Sequence, residues 1–224
     1  MQNSNLQVLY LILFLNAKNK EINSIKNDMK LKEVKFVKSV DINSKEVFFD
    51  EKPEIVFLGR SNVGKSSLMN AIFETKDLVK TSSVPGKTRT ANLFLLNNKY
   101  YFTDLPGYGF AKMGKEKKQD IDSLISWYID EKKANIKTAI ILIDSKLGPQ
   151  ESDEGMYRYL LELGFDITIV ITKIDKVKNN NLKNTLTMCE KSFFGQPIYQ
   201  VSSKNLTGIK EFRNLLFEKI VGQK

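Results

Sequence analysis

The chain has 224 residues, long enough for one domain with a full hydrophobic core and short for two. It has no histidine and a single cysteine, Cys189. This excludes histidine triads, histidine-ligated metals, zinc–cysteine clusters and an intrachain disulfide, and it points to a reducing compartment. Catalysis, where present, must rest on carboxylates, hydroxyls, amides, cations or a hard metal ion. The formal charge is +9, from 35 Lys and Arg against 26 Asp and Glu. That balance suits a polyanionic partner (nucleotide, RNA or anionic lipid) or simply a lysine-rich surface that aids solubility.

At the amino end, Val8–Leu15 (VLYLILFL) is strongly apolar but too short to span a bilayer. No positive charge precedes it and no small-residue cleavage site clearly follows, which argues against a signal peptide. Two readings stay open: a membrane-surface anchor, or an extension over residues 1–28 outside the fold, with Met29 as the working start.

From Glu54 onward short apolar runs alternate with longer amphipathic ones. Ile55–Leu58 reads as a buried strand and a helix begins near Lys65. Between them, Gly59-Arg60-Ser61-Asn62-Val63-Gly64-Lys65-Ser66 fits G-x-x-x-x-G-K-[ST] in the strand–loop–helix setting that the motif requires. Its glycines let backbone N–H groups curl around phosphate oxygens, and the helix N-terminus adds partial positive charge. Lys65 would reach the β- and γ-phosphates, and the Ser66 hydroxyl would ligate a Mg²⁺ that bridges them. The motif indicates a nucleoside triphosphate and leaves the base open.

Next comes a polar loop, Val84-Pro85-Gly86-Lys87-Thr88-Arg89-Thr90. A threonine hydroxyl there can complete a Mg²⁺ shell while the γ-phosphate is present, which is the chemistry of a switch; an ordinary surface loop is the alternative. Leu93–Leu96 and Tyr100–Asp104 flank Asn97-Asn98-Lys99 as a hairpin. The second hairpin strand runs into Asp104-Leu105-Pro106-Gly107. Asp104 can hold Mg²⁺ through water, and Gly107 can offer its N–H to a γ-phosphate.

Gly114–Lys133 has apolar residues at helical spacing, and Thr138–Asp144 (TAIILID) is a β-branched run of the kind buried in a parallel sheet. A helix over about Glu151–Leu163 and a strand over Asp166–Thr172 follow. Just past them, in Thr172-Lys173-Ile174-Asp175, a carboxylate at Asp175 can accept from guanine N1–H and the 2-amino group, donors that adenine lacks. The Lys173 stem can pack on the base, and a helix-capping aspartate is the plainer alternative. A helix over about Leu182–Lys191, a strand over Pro197–Val201 and a helix over about Gly208–Ile220 complete the chain. After that last strand, Ser202-Ser203-Lys204 could present the Ser203 N–H to guanine O6, with Lys204 over the base. The repeated strand–helix order predicts a three-layer α/β domain with a mainly parallel sheet, whose ligand sits beyond the carboxyl ends of its strands.

In "GRSNVGKSSLMN", "PGKTRT", "DLPGYGFAK", "TKIDK" and "VSSKN" the chain resembles the TRAFAC-class GTPases, and more closely the YihA/EngB/YsxC family of ribosome-biogenesis GTP-binding proteins. The resemblance covers about Met29 to the C-terminus. It implies a single P-loop GTPase domain over residues 29–224 with one antiparallel hairpin strand. It further implies Mg²⁺-dependent GTP binding, slow hydrolysis to GDP, a role in large-ribosomal-subunit assembly, and a requirement in cell division and septation. The nucleotide-binding residues would be Gly59 to Ser66, Gly86 to Thr90, Asp104 to Gly107, Thr172 to Asp175 and Ser202 to Lys204. Lys65, Thr88 and Gly107 would serve catalysis, and Ser66, Thr88 and Asp104 the metal. Thr88 is preferred to Thr90 on the family pattern.

Two positions depart from the general GTPase pattern. Thr172 replaces the asparagine of N-K-x-D, removing an amide that would bind the base edge and brace the phosphate loop. Tyr108 stands where Ras-like proteins place a water-orienting glutamine, which predicts slow intrinsic turnover. In related GTPases an asparagine at the position of Asn62 helps hold K⁺; bracing of its own loop is the alternative. The expected protein is cytoplasmic and monomeric, without DNA or membrane partners. A second reading is an RNA-binding assembly factor whose affinity nucleotide merely tunes, with Lys112, Lys115, Lys117 and Lys118 either contacting phosphates or forming a solvated helix start.

Overall fold

The computed structural model describes residues 31–44, 50–80, 90–109 and 115–221. Val8–Leu15, Met29, the loop residues Val84–Arg89 (Thr88 among them) and Lys112 lie outside the described residues. The described strands are β1 (Val34–Val40), β2 (Glu54–Gly59), β3 (Ala91–Leu96), β4 (Tyr100–Asp104), β5 (Ile136–Asp144), β6 (Ile167–Thr172) and β7 (Ile198–Gln200). They form one sheet in the order β1-β3-β4-β2-β5-β6-β7. Strand β3 runs against both of its neighbours, and the other pairings are parallel. This is the mainly parallel sheet with one antiparallel hairpin strand that the strand–helix alternation and the family resemblance predict.

The helices are α1 (Lys65–Ile72), α2 (Lys115–Lys132), α3 (Glu151–Glu162), α4 (Asn179–Ser192) and α5 (Ile209–Val221), with a 3₁₀ turn at Ile174–Lys176. They cover both faces of the sheet. On one face Ile125, Tyr128, Tyr157, Leu160 and Cys189 from α2, α3 and α4 pack on the odd-side residues of β5 and β6. On the other, Leu68, Ile72, Phe212 and Leu216 from α1 and α5 pack on Phe57, Ile140 and Val170. A strand covered twice has no polar face to offer. That is why β2 and β6 are buried along their whole length and read as continuous apolar runs.

The hairpin turn is as predicted: Asn97 and Asn98 adopt φ of 49° and 58°, a left-handed geometry that asparagine tolerates. Strand β1 was not among the sequence expectations. Its register shifts between Phe36 and Lys38, and Phe36 and Val37 are both exposed, so the apolar–polar alternation that marks a half-buried strand is broken. The bulge sits on a sheet edge, where such shifts are common.

Strands β2, β4, β5, β6 and β7 point the same way, so Gly59, Asp104, Asp144 and Thr172 finish at one edge of the sheet. At the opposite edge Glu54, fully buried, accepts hydrogen bonds from Thr103 Oγ1 and Tyr128 Oη, each at 2.6 Å, and lies 3.8 Å from Lys132 Nζ. Burial holds its carboxyl above the ordinary carboxylate range. The two residues from α2 thereby pin that helix's carboxyl end to β2 and β4. Replacing Tyr128→Phe removes one hydroxyl and leaves a buried carboxylate short of a donor. Urea unfolding should show a loss of about 1–2 kcal/mol, and an unchanged midpoint would exclude this pinning role.

Candidate functional site

The loop from Gly59 to Ser66 turns sharply between β2 and α1. Asn62 and Gly64 take φ of 64° and 105°, and a Cβ on Gly59 would lie 2.9 Å from Val63 Cγ1. Its carbonyls are directed back into the protein. Gly59 O accepts from Tyr108 N at 3.3 Å, Arg60 O from Val63 N at 3.1 Å and Gly64 O from Leu68 N at 2.9 Å. Asn62 O accepts from Lys173 Nζ, and Val63 O from Thr172 Oγ1 at 2.6 Å. With Gly59, Asn62 and Val63 held by their carbonyls from behind, and Ser61 N and Val63 N committed to Tyr108 O at 3.2 Å and Arg60 O at 3.1 Å, the N–H groups that open α1, which no preceding turn accepts, are left for an anion.

Lys65 Nζ pairs with Asp104 Oδ1, and both side chains are almost wholly buried. Burial pushes the Lys65 ammonium down to about 7, so the carboxylate beside it is what supports the charged form. Gly107 lies against the loop: a Cβ there would come within 2.7 Å of Ser61 Oγ and 3.0 Å of Ser61 N. Only glycine fits this approach. Leu105 and Pro106 are buried, and Leu105 N donates to Phe57 O at 3.2 Å, so the segment after β4 stays zipped along β2.

Tyr108 is buried, and its hydroxyl donates to Asp153 Oδ1 of α3 at 3.1 Å. The same carboxylate accepts from Gln150 N at 3.0 Å, closing a capping box at the start of α3. The phenol is thus committed to the protein interior, in keeping with a residue that orients no water.

Thr172 corrects one expectation. Its hydroxyl, buried at the end of β6, donates to Val63 O, so a brace on the loop is retained without the amide. Lys173 adopts φ of 57°, and its stem crosses Gly64, with Cε 3.4 Å from where a Cβ would stand. Its Nζ also meets Asp144 Oδ2 at 2.7 Å. Asp175 is exposed, and Ser202 Oγ donates to its Oδ1 at 2.6 Å, holding the carboxyl below its ordinary range. Ser202 is fully buried, so it orients Asp175 rather than facing a ligand, while Ser203 and Lys204 reach the surface.

Gly64, Thr172, Lys173, Asp175, Ser203 and Lys204 share one cleft of about 520 Å³. The structure therefore brings the first, fourth and fifth sequence clusters together, with Asp104 joined to them through Lys65. Gly86, Lys87, Thr88 and Arg89 lie outside the described residues; Thr90 precedes β3 and is half-buried. Ile174 is half-buried behind the cleft. Lys115 and Lys117 open α2, and Lys118 is exposed.

Asp144, Asp153 and Asn70 were not among the sequence candidates. Asp144 ends a strand at the site's edge, a signal that could have found it; Asp153 depends on Tyr108, 45 residues away, and Asn70 on the irregular segment that follows its own helix. Among the described residues no cluster of three Asp, Glu or Cys could hold a metal. The oxygen donors present, Ser66 and Asp104, suit a hard cation that completes its shell with ligand phosphates.

A family model described as a 50S ribosome-binding GTPase matches residues 54–173. A probable GTP-binding protein EngB from Clostridium kluyveri is 40% identical over 191 residues, covering 84% of this chain and 96% of the relative. One from Aquifex aeolicus is 43% identical over 169 residues, covering 73% and 92%. The crystal structure of a probable GTP-binding protein engB superposes with a TM-score of 0.65 at 27% identity, covering 76% of this chain and all of that one (100%).

Burial raises the Asp153 carboxyl from 3.8 to about 6. The folded state holds this proton where the unfolded chain has released it, so the group's contribution to stability falls as pH rises through that window. Asp153→Asn removes the titration. Relative to wild type, its unfolding free energy should rise by about 2–3 kcal/mol between about pH 4 and about pH 7. A difference independent of pH would contradict the assignment.

Proposed function

Since the chain belongs to the EngB family of GTP-binding proteins, a family of GTPases, we propose that it works as a Mg²⁺-dependent switch in large-ribosomal-subunit assembly. The convergence of Gly64, Thr172, Lys173 and Asp175 on one cleft, next to the buried Lys65–Asp104 pair, is the observation that carries this reading. The loop from Gly59 to Ser66 cradles the phosphates, chiefly through the N–H groups at the start of α1, and Lys65 exchanges its contact with Asp104 for a phosphate. Ser66, Asp104 and Thr88 hold the cation, which when bound neutralises charge between the phosphates. Asp175, oriented by Ser202, reads the two guanine donors, and Lys173 and Lys204 flank the base.

Hydrolysis is slow because the phenol at position 108 is tied to Asp153 and aligns no water. The residues from Gly86 to Thr90 and from Asp104 onward respond to the γ-phosphate and together make the surface for the ribosomal particle. On this reading residues 29–224 act as one domain, in the cytoplasm, as a monomer, and the protein supports cell division and septation. Among the described residues no helix is long and apolar enough to cross a membrane.

Co-sedimentation with large ribosomal subunits in GDP and in a non-hydrolysable GTP analogue tests the switch. Tighter binding with the analogue is expected, whereas equal binding with GTP analogue, GDP and no nucleotide would favour an RNA-binding factor instead. Asn62, exposed and left-handed at the front of the loop, is proposed to hold K⁺. GTPase rates should then be several-fold higher in KCl than in NaCl at equal ionic strength, and equal rates would remove the cation from the mechanism.

A further inference from the structure

The cleft continues past the residues assigned to guanine and phosphate. Its lining includes Thr75, Lys76 and Asp77, from the segment after α1 that leads toward the switch loop. This segment has no regular secondary structure of its own, and one side chain ties it down. Asn70, in the second turn of α1, is buried, with 6% of its surface exposed. Its Nδ2 donates to Val79 O at 2.8 Å, and its Oδ1 accepts from Val79 N at 2.8 Å. Oδ1 also accepts from Thr75 Oγ1 at 3.2 Å, while Asn70 O accepts from Thr75 N at 3.0 Å.

The amide thus pairs with the Val79 peptide as a neighbouring strand would, and it grips the segment at both ends of the cleft-lining residues. Val79 itself is buried on the core beside α1, so the grip has little freedom to slide. Helix α1 carries Lys65 and Ser66 at its start, so its Asn70 fixes the distance between the phosphate end of the cleft and the Thr75–Asp77 wall. A buried amide with every polar atom satisfied is costly to replace, because any substitute leaves the Val79 peptide groups unpaired.

We propose that Asn70 is a positioning residue for nucleotide binding: it sets the Thr75–Asp77 wall of the cleft against the nucleoside, and it fixes the point from which the following loop departs. The inference rests on the guanine-nucleotide reading of the cleft. It assigns Asn70 no contact with phosphate, so its effect should fall on the nucleoside part of the ligand alone.

The test compares wild type and Asn70→Ala in binding a fluorescent GDP analogue, with inorganic tripolyphosphate as competitor. The variant should bind GDP roughly tenfold more weakly while tripolyphosphate affinity stays within about twofold. Equal GDP affinity, or equal losses for both ligands, would overturn the proposal, the second because it marks a general loosening of α1. Wild-type protein that fails to prefer GDP over ADP would instead overturn the underlying reading of the site. In wild type, amide hydrogen exchange at Val79 should slow on saturation with GDP. This measurement needs no variant to fold, and an exchange rate indifferent to GDP would equally overturn the role.

Discussion

The site depends on a loop that cannot hold itself in shape. Gly59 to Ser66 is short, turns through two left-handed residues, and has few apolar side chains to pack. Its form comes from hydrogen bonds made to its carbonyls by residues that end other strands: Tyr108 after β4, Thr172 and Lys173 after β6. Holding the carbonyls fixes the path of the loop, and where it enters α1 the N–H groups have no preceding turn to accept them and turn outward. A row of such groups at a helix start is a preorganised anion site. The phosphate-binding chemistry is therefore a property of the sheet's carboxyl edge as a whole, and the motif is only its visible part.

The same edge couples its parts. Lys65 and Asp104 neutralise each other in a setting where neither charge is cheap to bury alone, so a phosphate that takes the lysine also alters the carboxylate. Asp104 begins the segment that runs through Gly107, closely packed on Ser61, to Tyr108, held by Asp153 of α3. A change at the phosphate end thus reaches a helix on one face of the sheet through a short chain of direct contacts. At the far edge, the buried contacts of Glu54 with Thr103, Tyr128 and Lys132 keep the other end of α2 in place. One end of the domain is anchored while the other carries the exchangeable contacts.

Much of this was legible in the sequence. The strands β2, β5 and β6 are covered on both faces and so leave uninterrupted apolar runs, and the hairpin is marked by the asparagines that its turn requires. The strand β1 was not legible, because a bulge on an exposed edge erases alternation. Of the residues named by spacing, Gly64, Thr172, Lys173, Asp175, Ser203 and Lys204 share one cleft. The threonine in place of asparagine removes an amide that could brace the loop, yet its hydroxyl supplies a brace by donating to Val63 O. Asp144 was marked only by its place at a strand end and Asn70 by nothing local, since each acts on a partner that folding brings near: Lys173 for one, the Val79 peptide for the other.

Local order along the chain was enough to determine the fold class and the family, because strand periodicity, turn chemistry and motif spacing are all short-range. Which side chains hold those residues in place was decided only by the tertiary structure. Hydrogen bonds between Thr172 and Val63, Ser202 and Asp175, or Tyr108 and Asp153 join positions far apart in sequence, and their geometry exists only once the sheet has brought its strand ends together.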